Sequence, residues 1–170
     1  GLKQSKKKNS KKAQPKNSWG KKALEIPALY TTPNLNRLWS YTGQYPFQHN
    51  KTLAELATGW SEASGFWDPG HFVANEHWAA MLNMAQWGVG LFSTDTVQFV
   101  GGFSAGSAGK KPDSATHPGS PSDEATAYLA AVGDVDLGAE DEYQYKYALV
   151  LGNLETIRNF AYINSGYNKK

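Results

Sequence analysis

The chain contains no cysteine. That absence excludes a disulfide frame, a thiolate nucleophile and a cysteine zinc site. Long apolar runs are missing as well. The nearest approach, residues 72–103, is interrupted by Glu76, His77, Asn83, Gln86 and Asp95, so no stretch reaches the roughly 20 apolar residues of a transmembrane helix. No secretory signal is legible, because the N-terminal lysines are not followed by an apolar segment. Aliphatic bulk is scarce: Leu, Ile, Val and Phe together supply 31 of 170 residues, and six Trp and nine Tyr have to make up the core.

Negative charge is absent from the start of the chain. Residues 1–22 hold nine lysines and no acid, the first carboxylate being Glu25. From Ala23 onward eight basic residues face fifteen acidic ones, so the overall +2 conceals a basic arm on an acidic body. A Lys, Ser, Asn and Gln segment of this kind cannot offset its ordering entropy by burial and gains order on a polyanion. Each lysine that displaces a phosphate counterion adds a salt-dependent, sequence-independent increment to binding. The expected nucleic-acid contacts are Lys3, Lys6, Lys7, Lys8, Lys11, Lys12, Lys16, Lys21 and Lys22, with RNA ahead of DNA as partner. An anionic membrane is the alternative polyanion. Gly1 and Ser5 fit the N-myristoylation pattern if a starting Met has been removed, and Lys6, Lys7 and Lys8 would then supply the second anchoring signal.

The sequence divides into the basic arm (1–22), an extended aromatic and proline-rich strap (23–50), and a single globular domain (51–170) with a Gly/Ser/Pro loop at 104–122. Within that domain, helical spacing of Leu53, Leu56, Ala57 and Trp60 predicts a helix ending near Gly65. Asp68 followed by Pro69 reads as the cap and first turn of a central helix through FVANEHWAAMLNMAQW, stopping at Gly88. Residues 94–103 read as a strand, and DEATAYLAAV as a short helix. Tyr143, Tyr147, Leu151, Leu154 and Ala161 form the stripe of a last helix, with Arg158 near its end and Gly166 as stop. The expected fold is therefore mainly α. The alternative is a β-sandwich with a basic arm, using LEIPALYTT, TVQFVGGF, YQYKYALVL and NFAYINSGY as strands.

Chemistry-bearing motifs are few. Asp68, His71, Glu76 and His77 include metal-ligand types, but His71 and His77 are six apart and do not share a helix face, so no metal is assigned. GGFSAGSAGK is glycine-rich without the order of a phosphate loop. No serine is given an oriented base and oxyanion hole. The expectation is a protein that is not an enzyme and has no cofactor. Seven carboxylates lie between residues 123 and 142 (Asp123, Glu124, Asp134, Asp136, Glu140, Asp141 and Glu142) without a Lys or Arg among them. They read as a solvated face, or as the receptor for the lysine arm of a neighbouring copy. Trp39, Trp60, Trp67, Trp78 and Trp87 are candidate interface residues.

Together these features suit a non-enzymatic structural protein that self-assembles, or joins a larger assembly, and binds nucleic acid through its arm. A small viral coat or nucleocapsid protein fits best, with a virion or intracellular assembly as its place. The alternative is a peripheral membrane accessory subunit held by the polybasic N-terminus.

Overall fold

Two tight turns interrupt what the sequence spacing predicts as one long helix. The His77 amide donates to the Ala74 carbonyl at 2.8 Å, and the Gln86 amide donates to the Asn83 carbonyl at 2.9 Å. His77 and Gln86 then take φ of 62° and 57°, in the left-handed region that glycine or asparagine usually fills. With those positions occupied by His and Gln, the ordinary turn signature is absent from the sequence. The computed structural model describes residues 21–48, 53–61, 66–104, 125–136 and 141–167, and the side chains of 21–23 and 60–67 lie outside that description.

The described elements are β1 (Lys21–Thr31), β2 (Arg37–Ser40), β3 (Ala54–Leu56), β4 (Gly59–Ser61), β5 (Phe66–Val73), β6 (Trp78–Leu82), β7 (Trp87–Phe92), β8 (Gln98–Ser104), β9 (Thr126–Asp136), β10 (Ala148–Asn153) and α1 (Leu154–Asn164). The strands form two five-stranded antiparallel sheets, ordered β1-β9-β8-β5-β4 and β10-β7-β6-β2-β3. The mainly α expectation is thus overturned, and the sandwich alternative fits. Its strand choices at β1, β8 and β10 match, whereas NFAYINSGY lies in and just after α1.

The physical reason for the failed helix is double burial. All five residues of β6 are buried, because Ala79 and Met81 face the other sheet while Trp78, Ala80 and Leu82 face α1. A strand covered on both sides shows no alternation and reads as a continuous apolar run. Between the sheets, Leu38, Ala79, Met81, Leu91, Phe99, Leu129 and Ala131 form the central core. On the far side of the second sheet, Ile157 and Ala161 of α1 close over Trp78, Ala80, Leu82, Phe92 and Val150. Asn153 caps the helix by accepting from the Thr156 amide at 2.8 Å. Only this C-terminal part of the predicted last helix is helical; its first half is β10 and the extended chain leading to it.

Candidate functional site

The lysine arm meets the body at an edge. Lys21 and Lys22 open β1, where register sets Lys21 opposite Asp136 and Lys22 opposite Val135, with Ala23 opposite Asp134. Two acids of the expected arm receptor therefore lie beside this chain's own first strand. Lys3, Lys6, Lys7, Lys8, Lys11, Lys12 and Lys16 lie outside the described residues, as do Asp123, Glu124 and Glu140 and the whole of loop 105–122. Asp141 and Glu142 are exposed.

The aromatic candidates separate into different environments. Trp78 is fully buried inside its own subunit and donates from Nε1 to Glu76, so it cannot serve an intermolecular contact. Trp39 is half-buried on β2 under the Arg37 guanidinium, which lies 5.5 Å from the ring centroid. Trp60 and Trp67 oppose each other in the β4–β5 register, and their side chains lie outside the described ones. Trp87 is exposed at the start of β7, opposite Asn153.

A second aromatic feature continues β10 backwards. The rings of Tyr143 and Tyr145 stack with centroids 5.9 Å apart, and those of Tyr145 and Tyr147 with centroids 5.8 Å apart. This i, i+2 series belongs to extended chain, in which alternate residues share a side. Thr94, Asp95, Tyr143, Gln144, Tyr145 and Lys146 line a groove of about 640 Å³ beside it. Asp95 anchors the segment by accepting from the Lys146 amide at 2.7 Å, and Ser93 Oγ donates to the Lys146 carbonyl at 2.8 Å.

The strongest buried polar cluster surrounds Glu76, which has no solvent exposure. Its Oε1 accepts from the Phe47 amide at 2.9 Å, from Arg158 Nη2 at 2.8 Å and from the Tyr162 hydroxyl at 3.3 Å. Its Oε2 accepts from Arg158 Nε at 2.9 Å and from Trp78 Nε1 at 3.1 Å. Five donors fill the roughly four lone-pair positions of a carboxylate. Such a group has no acceptor left for a substrate proton, and its work is to tie α1 and the 47 loop to β6. Burial, followed by the Glu76 charge, pushes the Tyr162 hydroxyl up to about 12. Burial opposes the charge of Arg158, but hydrogen bonding to and attraction by Glu76 outweigh it and raise the guanidinium. Beside this cluster, Leu53, Gln86, Leu154, Glu155, Asn159, Arg158 and Tyr162 line a recess of about 300 Å³.

A third cluster lies on the outer face of the first sheet. Tyr128 donates to Glu25 Oε2, and its ring lies 4.9 Å from that of Tyr30. Burial, then the hydrogen bond to Glu25, raises the Tyr128 hydroxyl above its ordinary range.

The metal-ligand types do not converge. His71 lies on β5 opposite Val100, whereas Glu76 is held by Arg158 and His77 Nδ1 is 2.9 Å from the Thr96 carbonyl. Among the described residues no three His, Asp or Glu side chains are placed to hold one ion, and no helix is long and apolar enough to cross a membrane.

One candidate is absent from the motif reading above. Residues 102–106, GFSAG, carry the G-x-S-x-G spacing of a nucleophile elbow. An elbow needs a sharp strand-to-helix turn that exposes the serine. Ser104 instead is the buried last residue of β8, paired with Thr126 of β9. The Glu76–Arg158 pair was also illegible, because its members are 82 positions apart and no local spacing links them.

Comparison with known proteins finds no matching family model, no matching curated protein and no matching solved structure.

Proposed function

We propose that this chain is a non-enzymatic assembly protein: a β-sandwich body that packs against further copies and a lysine arm that binds nucleic acid, in the manner of a small viral coat protein. One observation carries the reading. Nine lysines without an acid occupy the first 22 residues, seven of them ahead of β1 and the last two opening it at the edge of a sheet. An arm leaving an edge can reach a polyanion without disturbing the core. The saturated Glu76 carboxylate supports a structural role for the best-formed polar cluster. RNA is the expected partner, and it is bound without base readout because the arm offers charge and little else for reading bases.

The test is a filter-binding titration of the full chain with single-stranded RNA across a salt series. Replacing Lys3, Lys6, Lys7, Lys8, Lys11, Lys12 and Lys16 by Gln should flatten the log–log salt slope, each lost phosphate contact removing about 0.7 from it. Unchanged retention by that variant rejects the proposal. Binding to phosphatidylserine vesicles but not to RNA, or an acylated Gly1 in the intact mass of native material, replaces it with the membrane alternative.

A further inference from the structure

Among the described residues the two sheets end in four edge strands, and β10 differs from the other three. The β1 edge carries Pro27, a register shift between Glu25 and Ala28, and two lysines at its start. The β3 and β4 edges are three residues long. Those are the devices by which proteins blunt an edge against pairing. The six residues of β10, ALVLGN, contain no charge and no proline, and they pair with β7 without a break in register.

The free side of β10 can be read from its hydrogen bonds. The Lys146 amide and carbonyl are both engaged by the Ser93 and Asp95 side chains just beyond β7, and the Leu154 amide donates to the Gln86 carbonyl at 3.1 Å. Even-numbered residues thus turn their backbone groups toward β7. By antiparallel alternation the odd-numbered ones, Tyr147, Leu149 and Leu151, turn theirs outward. The same three carry exposed side chains, at 48%, 49% and 68%. No described strand pairs on that side.

We infer that β10 is a self-complementary edge through which a second copy of this chain adds to the sheet, antiparallel, about a two-fold axis at Leu149. In that register Leu149 meets Leu149 of the second copy, Tyr147 meets its Leu151, and each of these pairs exchanges both backbone hydrogen bonds. Lys146 falls opposite Gly152 and Tyr145 opposite Asn153, so no like charges meet anywhere along the seam. The two five-stranded sheets become one ten-stranded sheet, with the Tyr and Leu side chains of the two copies packed side by side. A second copy is the occupant that the sequence of the edge favours: its apolar row matches itself under the two-fold, and it offers no charge to a basic or acidic peptide. The inference deepens the assembly half of the proposed function and rests on it.

The test uses the full chain, free of nucleic acid, in sedimentation equilibrium at a salt concentration that screens the arm. Wild type is expected as a dimer. Leu149→Lys and Leu149→Glu each place a like-charged pair on the axis and should sediment as monomers, while an equimolar mixture of the two should recover the dimer by pairing Lys with Glu. Leu149 is half-exposed, so both variants should stay folded, and the folding control is a wild-type far-UV CD spectrum with a cooperative unfolding transition that no longer depends on protein concentration. A monomeric wild type, a Leu149→Lys dimer as strong as wild type, or a mixture that stays monomeric overturns the inference. A wild-type dimer that retains no RNA in the filter-binding titration would instead sink the polyanion reading and leave this interface standing.

Discussion

Arg158 grips Glu76 with two hydrogen bonds, 2.8 Å from Nη2 to Oε1 and 2.9 Å from Nε to Oε2, and so fixes the only described helix to the loop that precedes β6. The carboxylate is fully buried, and the guanidinium also lies 5.4 Å from the Tyr41 ring centroid and 5.2 Å from that of Tyr162. Removing the cation leaves a charge in the core with neutral donors alone. Arg158→Met should therefore cost about 3–5 kcal/mol in urea unfolding. Glu76→Gln in the same background should recover part of that loss. A loss within 1 kcal/mol for the single variant would show that Phe47, Trp78 and Tyr162 satisfy the carboxylate by themselves.

The same cluster makes an alkaline prediction. The Tyr162 hydroxyl must stay protonated to donate to Glu76, and its pKa is raised to about 12. In the unfolded chain a tyrosine titrates near 10. Its contribution is therefore complete below about pH 10 and is lost as pH rises through about 12. Thermal unfolding followed across that window should show a falling Tm for wild type. Tyr162→Phe should start lower and fall less steeply. Equal slopes for the two proteins would assign the alkaline loss to other groups.

What the sequence made legible follows from burial. β1 and β10 are edge strands whose alternation survives in LEIPALYTT and YQYKYALVL, while the central β8 is buried along most of its length and is legible through the β-forming residues of TVQFVGGF. In β6 and β9 both faces are covered, and WAAML and TAYLAAV present alanine-rich apolar runs that favour helix by intrinsic propensity. Turn chemistry would have broken the tie, but His77 and Gln86 occupy the left-handed positions where glycine would have announced it. The arm was legible because charge needs no fold to be counted. The Glu76 cluster was not, since it depends on a contact between the loop before β6 and a helix residue 82 positions later.

Arg37 and Glu55 pair across β2 and β3, and they offer a contrast to the buried pair. Hydrogen bonding to Arg37 holds the Glu55 carboxyl below its usual range. The pair is solvated, so screening and side-chain entropy absorb most of its attraction. Its contribution is present above the ordinary carboxylate pKa and fades as pH falls through the depressed value. Glu55→Gln should leave the urea midpoint nearly unmoved at neutral pH. A shift as large as that of Arg158→Met would contradict the burial argument.

Gly90 is where α1 seats on the sheet. A Cβ at that position would lie 2.3 Å from Ile157 Cγ2 and 3.1 Å from Cγ1, and Ile157 is itself buried. Such a contact forces the helix outward or Ile157 off its rotamer, at roughly 1–3 kcal/mol. Alanine would ordinarily gain something over glycine by narrowing the unfolded ensemble, by about 0.4–1 kcal/mol, so the clash decides the sign. Gly90→Ala should destabilise the protein in urea unfolding. Ile157→Ala alone should cost about 2–5 kcal/mol through the cavity it leaves. That cavity lies where the new methyl would go, so the double variant should be more stable than the sum of the single losses implies, by about 0.5–3 kcal/mol. Strict additivity would mean that the helix shifts as a whole instead of meeting the strand at this one side chain.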